Sequence, residues 1–407
     1  MVYLDYSATS PLLPCAKEAM SKAMEFVGNP SALHTPGHLA MDMIEEARSE
    51  IARLINADPS EIIFTSGGSE ANNTVTNIFA NKPVAISAIE HPSLLESAKL
   101  RCKASIIPVD RDGLLKKQFF SPKRSSRTSS RGSSPVLVVT ADVGEKNCFS
   151  SNPKLVSVML ANNEIGTIND IKSLAKSAHA AGALFHTDAT QALGKIPIDV
   201  KDLDVDYMTI SAHKIGGPVG IGALYVKKGS PFVPLIIGGH QEKGRRAGTY
   251  QTVNIAGFGA AAKYANEHKT WEIYAKKIRP LRDKLATRIL KEVPFSSVNS
   301  KAKATLPNLL NCSFEAAEGE SIQLYLDSLG DIIVSTGSAC ASGDGKPSHV
   351  LMATRNDAEV AHSSIRFSLG LDTTEKDIDH VMKYLPDIVK RLQGISTIKT
   401  KEKKDEK

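Results

Sequence analysis

The chain has 407 residues, 42% of them hydrophobic, and a net charge of +6. That is enough for one large and one smaller domain, each with its own core. Five scattered cysteines without a CxxC pair (Cys15, Cys102, Cys148, Cys312 and Cys340) argue against a disulfide framework or a zinc site and for a reducing compartment.

The opening "MVYLDYSATSPLLP" has neither a basic stretch before an apolar run nor an Arg/Ser-rich leader. No run reaches membrane-span length, so a cytoplasmic protein with no membrane role is expected. From about residue 10 to 260 helical patterns alternate with short β-rich runs. "GHLAMDMIEEARSEIARLI" reads as a helix, and "EIIFTS", "VAISAI", "ASIIPV", "KLVSVMLA", "ALFHTDA", "VDYMTIS" and "IGALYVKK" read as strands. This alternation predicts an open, mostly parallel α/β sheet.

"SPKRSSRTSSRGSS", residues 121–134, has four basic residues and no acid. It reads as a disordered insertion within about 116–152, since it cannot bury enough apolar surface to order itself. It lacks interleaved aromatics, as does the lysine-rich end at 396–407, so both read as solvated and no direct nucleic-acid contact is expected.

Beyond about 265 an α+β pattern is predicted. A long helix "WEIYAKKIRPLRDKLATRILKEV" is followed by "NLLNCSF", the helix "GESIQLYLDSL", "DIIVST", a cysteine loop, "SSIRFSLG" and a last helix through "DIDHVMKYLPDIVKRLQ". The resulting division is a large domain over 11–265, a small domain from 1–10 and 266–395, and a disordered tail over 396–407.

In open α/β sheets ligands sit beyond the carboxyl ends of the strands, and the polar residues of this chain gather there. "FTSGGSEANN" places Gly67, Gly68 and Ser69 between a strand and a helix, a weak phosphate signal on its own. His91 follows the next strand. Asp188 ends another, with Gln191 one turn on, and His213 and Lys214 follow the next. A lysine in a glycine-rich turn suits a Schiff base, and an aspartate can keep a cofactor pyridine nitrogen protonated. Phosphate cradle, stacking histidine, Asp and Lys together describe a pyridoxal phosphate site.

With these residues in view, the chain resembles the NifS/IscS-type cysteine desulfurases, within the class V aminotransferases of the fold-type I pyridoxal phosphate enzymes. The likeness runs almost end to end, through "YLDYSATSP", "GNPSALH", "IEHPS", "ANNEIGTI", "HTDATQALGKIPID", "SAHKIGGPVGIGALYV", "GGHQEKGRRAGT", "STGSAC" and "AHSSIRFSLG". It implies a large domain with a mostly parallel seven-stranded sheet and a smaller α+β C-terminal domain.

It also implies roles for individual residues. Lys214 would carry the Schiff base and shuttle protons, His91 would stack on the pyridine ring, and Asp188 would pair with its nitrogen. Asn163 and Gln191 would hold the 3′-oxygen side of cofactor and substrate, while Gly68, Ser69, Ser211 and His213 would bind the phosphate. Thr249 would reach the phosphate of a second subunit, which implies a homodimer. Arg366 would clamp the substrate carboxylate.

Cys340 would take the sulfur of L-cysteine as a persulfide, leaving L-alanine. The small polar and glycine neighbours of Cys340 in "STGSACASGDGKPSH" suit a nucleophile that must reach both a pocket and an acceptor protein. That acceptor would be an iron–sulfur scaffold or a thiolation relay. The likeness departs at His240 (usually glycine), Lys243 (usually arginine) and Ala247 (usually serine), and in the 121–134 insertion. Competing readings are a selenocysteine lyase, an aminotransferase that would not need Cys340, and a non-catalytic interaction platform.

Overall fold

A computed structural model describes residues 1–115, 153–300, 302–336, 347–355 and 357–397. The predicted Ser/Arg insertion, Cys340 with its loop, and the chain beyond 397 lie outside the described residues.

Twelve strands are present among them: β1 (Val2–Tyr3), β2 (Ile62–Thr65), β3 (Pro83–Ser87), β4 (Lys103–Ile107), β5 (Leu155–Ser157), β6 (Leu184–Asp188), β7 (Tyr207–Ser211), β8 (Gly222–Val226), β9 (Ser296–Val298), β10 (Leu309–Phe314), β11 (Ile332–Ile333) and β12 (Ser364–Ser368). Seven of them form one sheet in the order β2-β8-β7-β6-β5-β3-β4. Only β8 runs against the others.

Successive side chains of a strand point to opposite faces, and both faces of this sheet are covered. Ala223 and Tyr225 of β8 join one hydrophobic cluster, with Ile44, Ile51 and Phe258 from the helices Thr35–Leu54 and Thr252–His268. Leu224 and Val226 join another, with Val75 and Leu94 from Gly68–Ile78 and Pro92–Arg101. Burial on both faces is why these strands read as short apolar runs rather than as alternating patterns.

A second core forms around the antiparallel sheet β12-β10-β9 and the helices Arg279–Glu292, Gly319–Gly330 and Glu375–Ile395. The amino terminus joins this core: β1 pairs with β11, and Val2 and Leu4 are buried in it.

The expected single helix over 271–293 differs in one respect. It consists of Thr270–Ile273, a π-helical turn Tyr274–Ile278 and Arg279–Glu292. Pro280 cannot donate a backbone hydrogen bond to the preceding turn. The wider π turn takes up that mismatch while keeping Tyr274 and Ile278 buried.

Candidate active site

The carboxyl ends of β6 and β7 and the start of the helix Gly68–Ile78 enclose a cavity of about 310 Å³. Of the residues singled out from sequence, Gly68, Ser69, His91, Asn163 and Asp188 line it, as do Gln191, Ser211, His213, Lys214 and Arg366. Thr249 does not. It is exposed and lies between Gly248 and Tyr250, which line a different, smaller cavity. Cys340 is outside the described residues.

One end of the cavity suits an anion. Gly67 caps the helix at φ 144°, in a conformation that only glycine adopts readily. The first amides of an eleven-residue helix therefore open into the cavity, and the helix dipole adds positive potential there. A Cβ on Gly68 would come within 3.4 Å of Thr190 Oγ1 and 3.9 Å of Ser211 Cβ, filling the cradle.

At the other end Asp188, nearly fully buried, is held on both oxygens. Oδ1 accepts from the Thr190 amide at 2.9 Å, and Oδ2 accepts from Asn72 Nδ2 at 2.9 Å. Asn72 also donates to Ser93 Oγ at 2.9 Å. Ser93 in turn meets His91: its amide donates to His91 Nδ1 at 3.1 Å, and its hydroxyl lies 2.8 Å from the same nitrogen. An Nδ1 that accepts from an amide carries no proton, so the ring is neutral with its hydrogen on Nε2. Burial also pushes the His91 pKa down, against the pull of Asp188 and with help from Lys214 and His349.

Lys214 stands in a short 3₁₀ turn, Ala212–Lys214, directly after β7. Its Nζ donates to the carbonyls of Ser7 and Ala8, both at 2.6 Å. Gln191 Nε2 donates to the same Ser7 carbonyl at 2.9 Å. His213, beside Lys214, is pushed down to about 4 by burial and then by Lys214 and Lys195.

Arg366 is 2% exposed. One terminal nitrogen meets Asp5 Oδ1 at 2.9 Å and the other the Asn163 carbonyl at 3.1 Å. A structural carboxylate thus holds one side of the guanidinium, leaving further donors of the fork for a ligand.

Four buried polar atoms on residues of this lining have no partner among the described residues: Ser7 Oγ, Asn72 Oδ1, Thr190 Oγ1 and Arg366 Nε. Buried polar groups are rarely left unpaired. Orphans on residues that line one cavity fit a ligand that brings its own acceptors and donors, including a phosphate at the helix end.

Asn72, Ser93 and Ser7 were not singled out from sequence. Asn72 had a usable signal, since it lies four residues after Gly68 on the same helix face. Ser7 did not, because its contacts come from residues some two hundred positions away.

Fold and site thus define an α/β protein that holds a primary amine, a buried carboxylate and an anion cradle around one cavity at its strand ends. The comparisons sharpen that class. The aminotransferase class-V family model matches residues 2–129 and 141–381. The cysteine desulfurase IscS of Dictyoglomus turgidum is 42% identical over 409 residues, covering 98% of this chain and 97% of its own. Cysteine desulfurase IscS 1 of Archaeoglobus fulgidus is 39% identical, with 98% and 99% covered.

Among solved structures, a NifS-like protein from Rickettsia africae superposes with a TM-score of 0.82 at 32% identity, covering 96% of this chain and 99% of its own. SspA in complex with cysteine gives 0.70 at 30%, with 91% and 99% covered. The chain belongs to the aminotransferase class-V family and, within it, to the cysteine desulfurases.

Proposed function

We propose that this protein is a pyridoxal 5′-phosphate-dependent cysteine desulfurase. It takes L-cysteine to L-alanine and passes the sulfur to Cys340 as a persulfide, then to an acceptor protein of iron–sulfur assembly or tRNA thiolation. The observation that carries this reading is the convergence of the Lys214 amine, the Asp188 carboxylate and the Gly68–Ser69 helix start on one cavity that also reaches Arg366. The names of the relatives, and the solved relative described in complex with cysteine, support the substrate.

When bound, pyridoxal phosphate supplies an electron sink that weakens bonds to the substrate's carbons. The chain supplies everything else. Gly68 and Ser69, with Ser211 and His213, hold the phosphate, and Asp188, fixed by Asn72 and Thr190, presents a carboxylate to the pyridine nitrogen. The His91 ring, fixed through Ser93, is the stacking face, and Gln191 and Asn163 hold the 3′-oxygen side.

Arg366 meets the substrate carboxylate with the donors that Asp5 leaves free. Lys214 binds the cofactor and moves protons at its Nζ. The Cys340 thiolate forms an S–S bond to the substrate sulfur as the carbon–sulfur bond breaks, and a proton on carbon completes alanine. Cysteine plus enzyme thiol thus balance alanine plus enzyme persulfide.

On this reading residues 11–265 bind the cofactor, and 1–10 with 266–395 form the smaller domain that carries the cysteine loop. Thr249 serves the site of a second copy in a homodimer. Its exposure, and that of the apolar Val27, Leu33 and Ile237, supports such a partner.

Lys214→Ala tests the assignment. The variant is expected to lose the visible absorbance of the cofactor-loaded protein. A spectrum like that of the wild type overturns it.

A further inference from the structure

Lys195 is the one lysine among the described residues that is fully buried, at 1% exposure. Its Nζ donates to the Gln191 carbonyl at 3.1 Å and to Gln191 Oε1 at 3.4 Å. No carboxylate lies within ion-pair distance of it among the described residues. An ammonium buried without a counter-ion is costly, and an apolar side chain of similar length would fill the space without that cost.

Its neighbours give it a use. Lys195 and Lys214 line a small cavity of about 40 Å³, which has Lys214 in common with the main one, together with Tyr6, Tyr264, Tyr274 and Asp372. Burial pushes the Tyr6 phenol up to about 12 and raises Tyr274 as well, so both stay neutral. Asp372 is the only carboxylate in that lining. Toward the main cavity Lys214 has Asp188, His91 and His213 around it, and both histidines are pushed toward neutrality. Burial, then Lys214, then Arg366 bring the Lys195 amine down to about 7. Repulsion between two amines is mutual, so a cation at Lys195 equally disfavours one at Lys214.

Lys195 also fixes a neighbouring amide. Gln191 faces a donor, Lys195 Nζ, on one side and a pure acceptor, the Ser7 carbonyl, on the other. Only one orientation satisfies both, with Oε1 toward Lys195 and Nε2 toward Ser7 and the cavity.

We propose that Lys195 is a positioning residue of this site: it locks the Gln191 amide with its NH₂ group toward the cavity, and in its protonated form it lowers the proton affinity of the Lys214 nitrogen. A nearby cation is one of the ways in which a lysine is made nucleophilic. The inference rests on the pyridoxal phosphate reading above.

The test is a pH titration of the visible absorbance of the cofactor-loaded protein, with the cofactor dissociation constant measured alongside. Lys195→Met removes donor and charge, Lys195→Gln keeps a donor without charge, and Lys195→Arg keeps a permanent charge. In Met and Gln the apparent pKa of the absorbance is expected to rise, with the curves parting from the wild type most below about pH 7, where Lys195 carries its charge. In Arg it is expected to stay at or below the wild-type value. Cofactor binding is expected to weaken roughly tenfold in Met, which leaves the amide unlocked, and much less in Gln.

Titrations of Met and Gln that coincide with the wild type overturn the proposal. Should Lys195→Met fail to fold, the titration of Lys195→Gln alone decides it in the same way. A wild-type protein that takes up no pyridoxal phosphate overturns the underlying reading as well, and is recognised before any variant is made.

Discussion

Asp188→Asn probes the site at its most constrained point. Both carboxylate oxygens already accept a hydrogen bond, from the Thr190 amide and from Asn72 Nδ2, each at 2.9 Å. Each oxygen has a second lone-pair direction for a group in the cavity. An asparagine can accept from only one of the two donors, and its NH₂ must then face the other. The variant loses one bond to a charged acceptor, worth about 1.5–3 kcal/mol, and either sets its NH₂ against that of Asn72 or makes Asn72 turn its amide and give up its bond to Ser93, costing about 1–3 kcal/mol more.

It also removes the charge that would keep a ring nitrogen protonated. Those losses fall on the stability of the fold, whereas the missing charged bond to the ring nitrogen, about 1.5–3 kcal/mol at 1.4 kcal/mol per factor of ten, corresponds to about 10–10² in kcat/KM for L-cysteine. The assay is sulfide release, with cofactor affinity measured by absorbance titration. The double variant Asn72→Asp with Asp188→Asn restores a donor–acceptor pair at this contact but leaves the charge misplaced. It is expected to recover cofactor-free stability without recovering turnover. Single-variant activity within tenfold of the wild type refutes the reasoning, and so does full recovery in the double variant.

Three further outcomes follow from the same geometry. Arg366→Lys keeps a charge but loses the planar fork, and is expected to raise KM for L-cysteine about 10–100-fold while lowering kcat less; an unchanged KM would remove Arg366 from substrate binding. Cys340→Ser is expected to bind cofactor and L-cysteine yet release no sulfide, and sulfide at the wild-type rate would exclude Cys340 as the acceptor.

The third concerns Glu90, which is fully buried and whose carboxyl is pushed up to about 8, chiefly by burial, against bonds from Ser87 and Met159. Its folded-state pKa lies above the unfolded value, so its contribution is complete below about pH 4 and is lost as pH rises through about 8. Glu90→Gln mimics the protonated form, and its urea midpoint should fall less between pH 5 and 8 than that of the wild type; parallel curves would count against the buried neutral carboxyl.

Much of this molecule could be read from its residues because most of the signals are local. All seven strands of the large sheet show as short apolar runs, and Asp188, Ser211 and Lys214 sit where such runs end. What stayed hidden depends on contacts between distant positions. "SEANN" puts Asn72 on the Gly68 face of its helix but does not tell that it holds Asp188, 116 residues away. Arg366 reaches Asp5 across 361 residues.

Lys195 looks like any solvent-facing lysine in "QALGKIPID" until the fold closes over it. The π turn at Tyr274–Ile278 is masked by a sequence that is helical on both sides. Reversal of β8 leaves no mark on its side chains either, since a strand buried on both faces looks the same in either direction.

The most direct test of the central claim uses the cofactor-loaded wild-type protein with L-cysteine and a reductant, assaying sulfide and alanine in the same sample. Equal amounts of the two, formed at the same rate, are the predicted result. Alanine without sulfide, or no turnover of L-cysteine by a protein that retains its visible absorbance, would contradict the assignment.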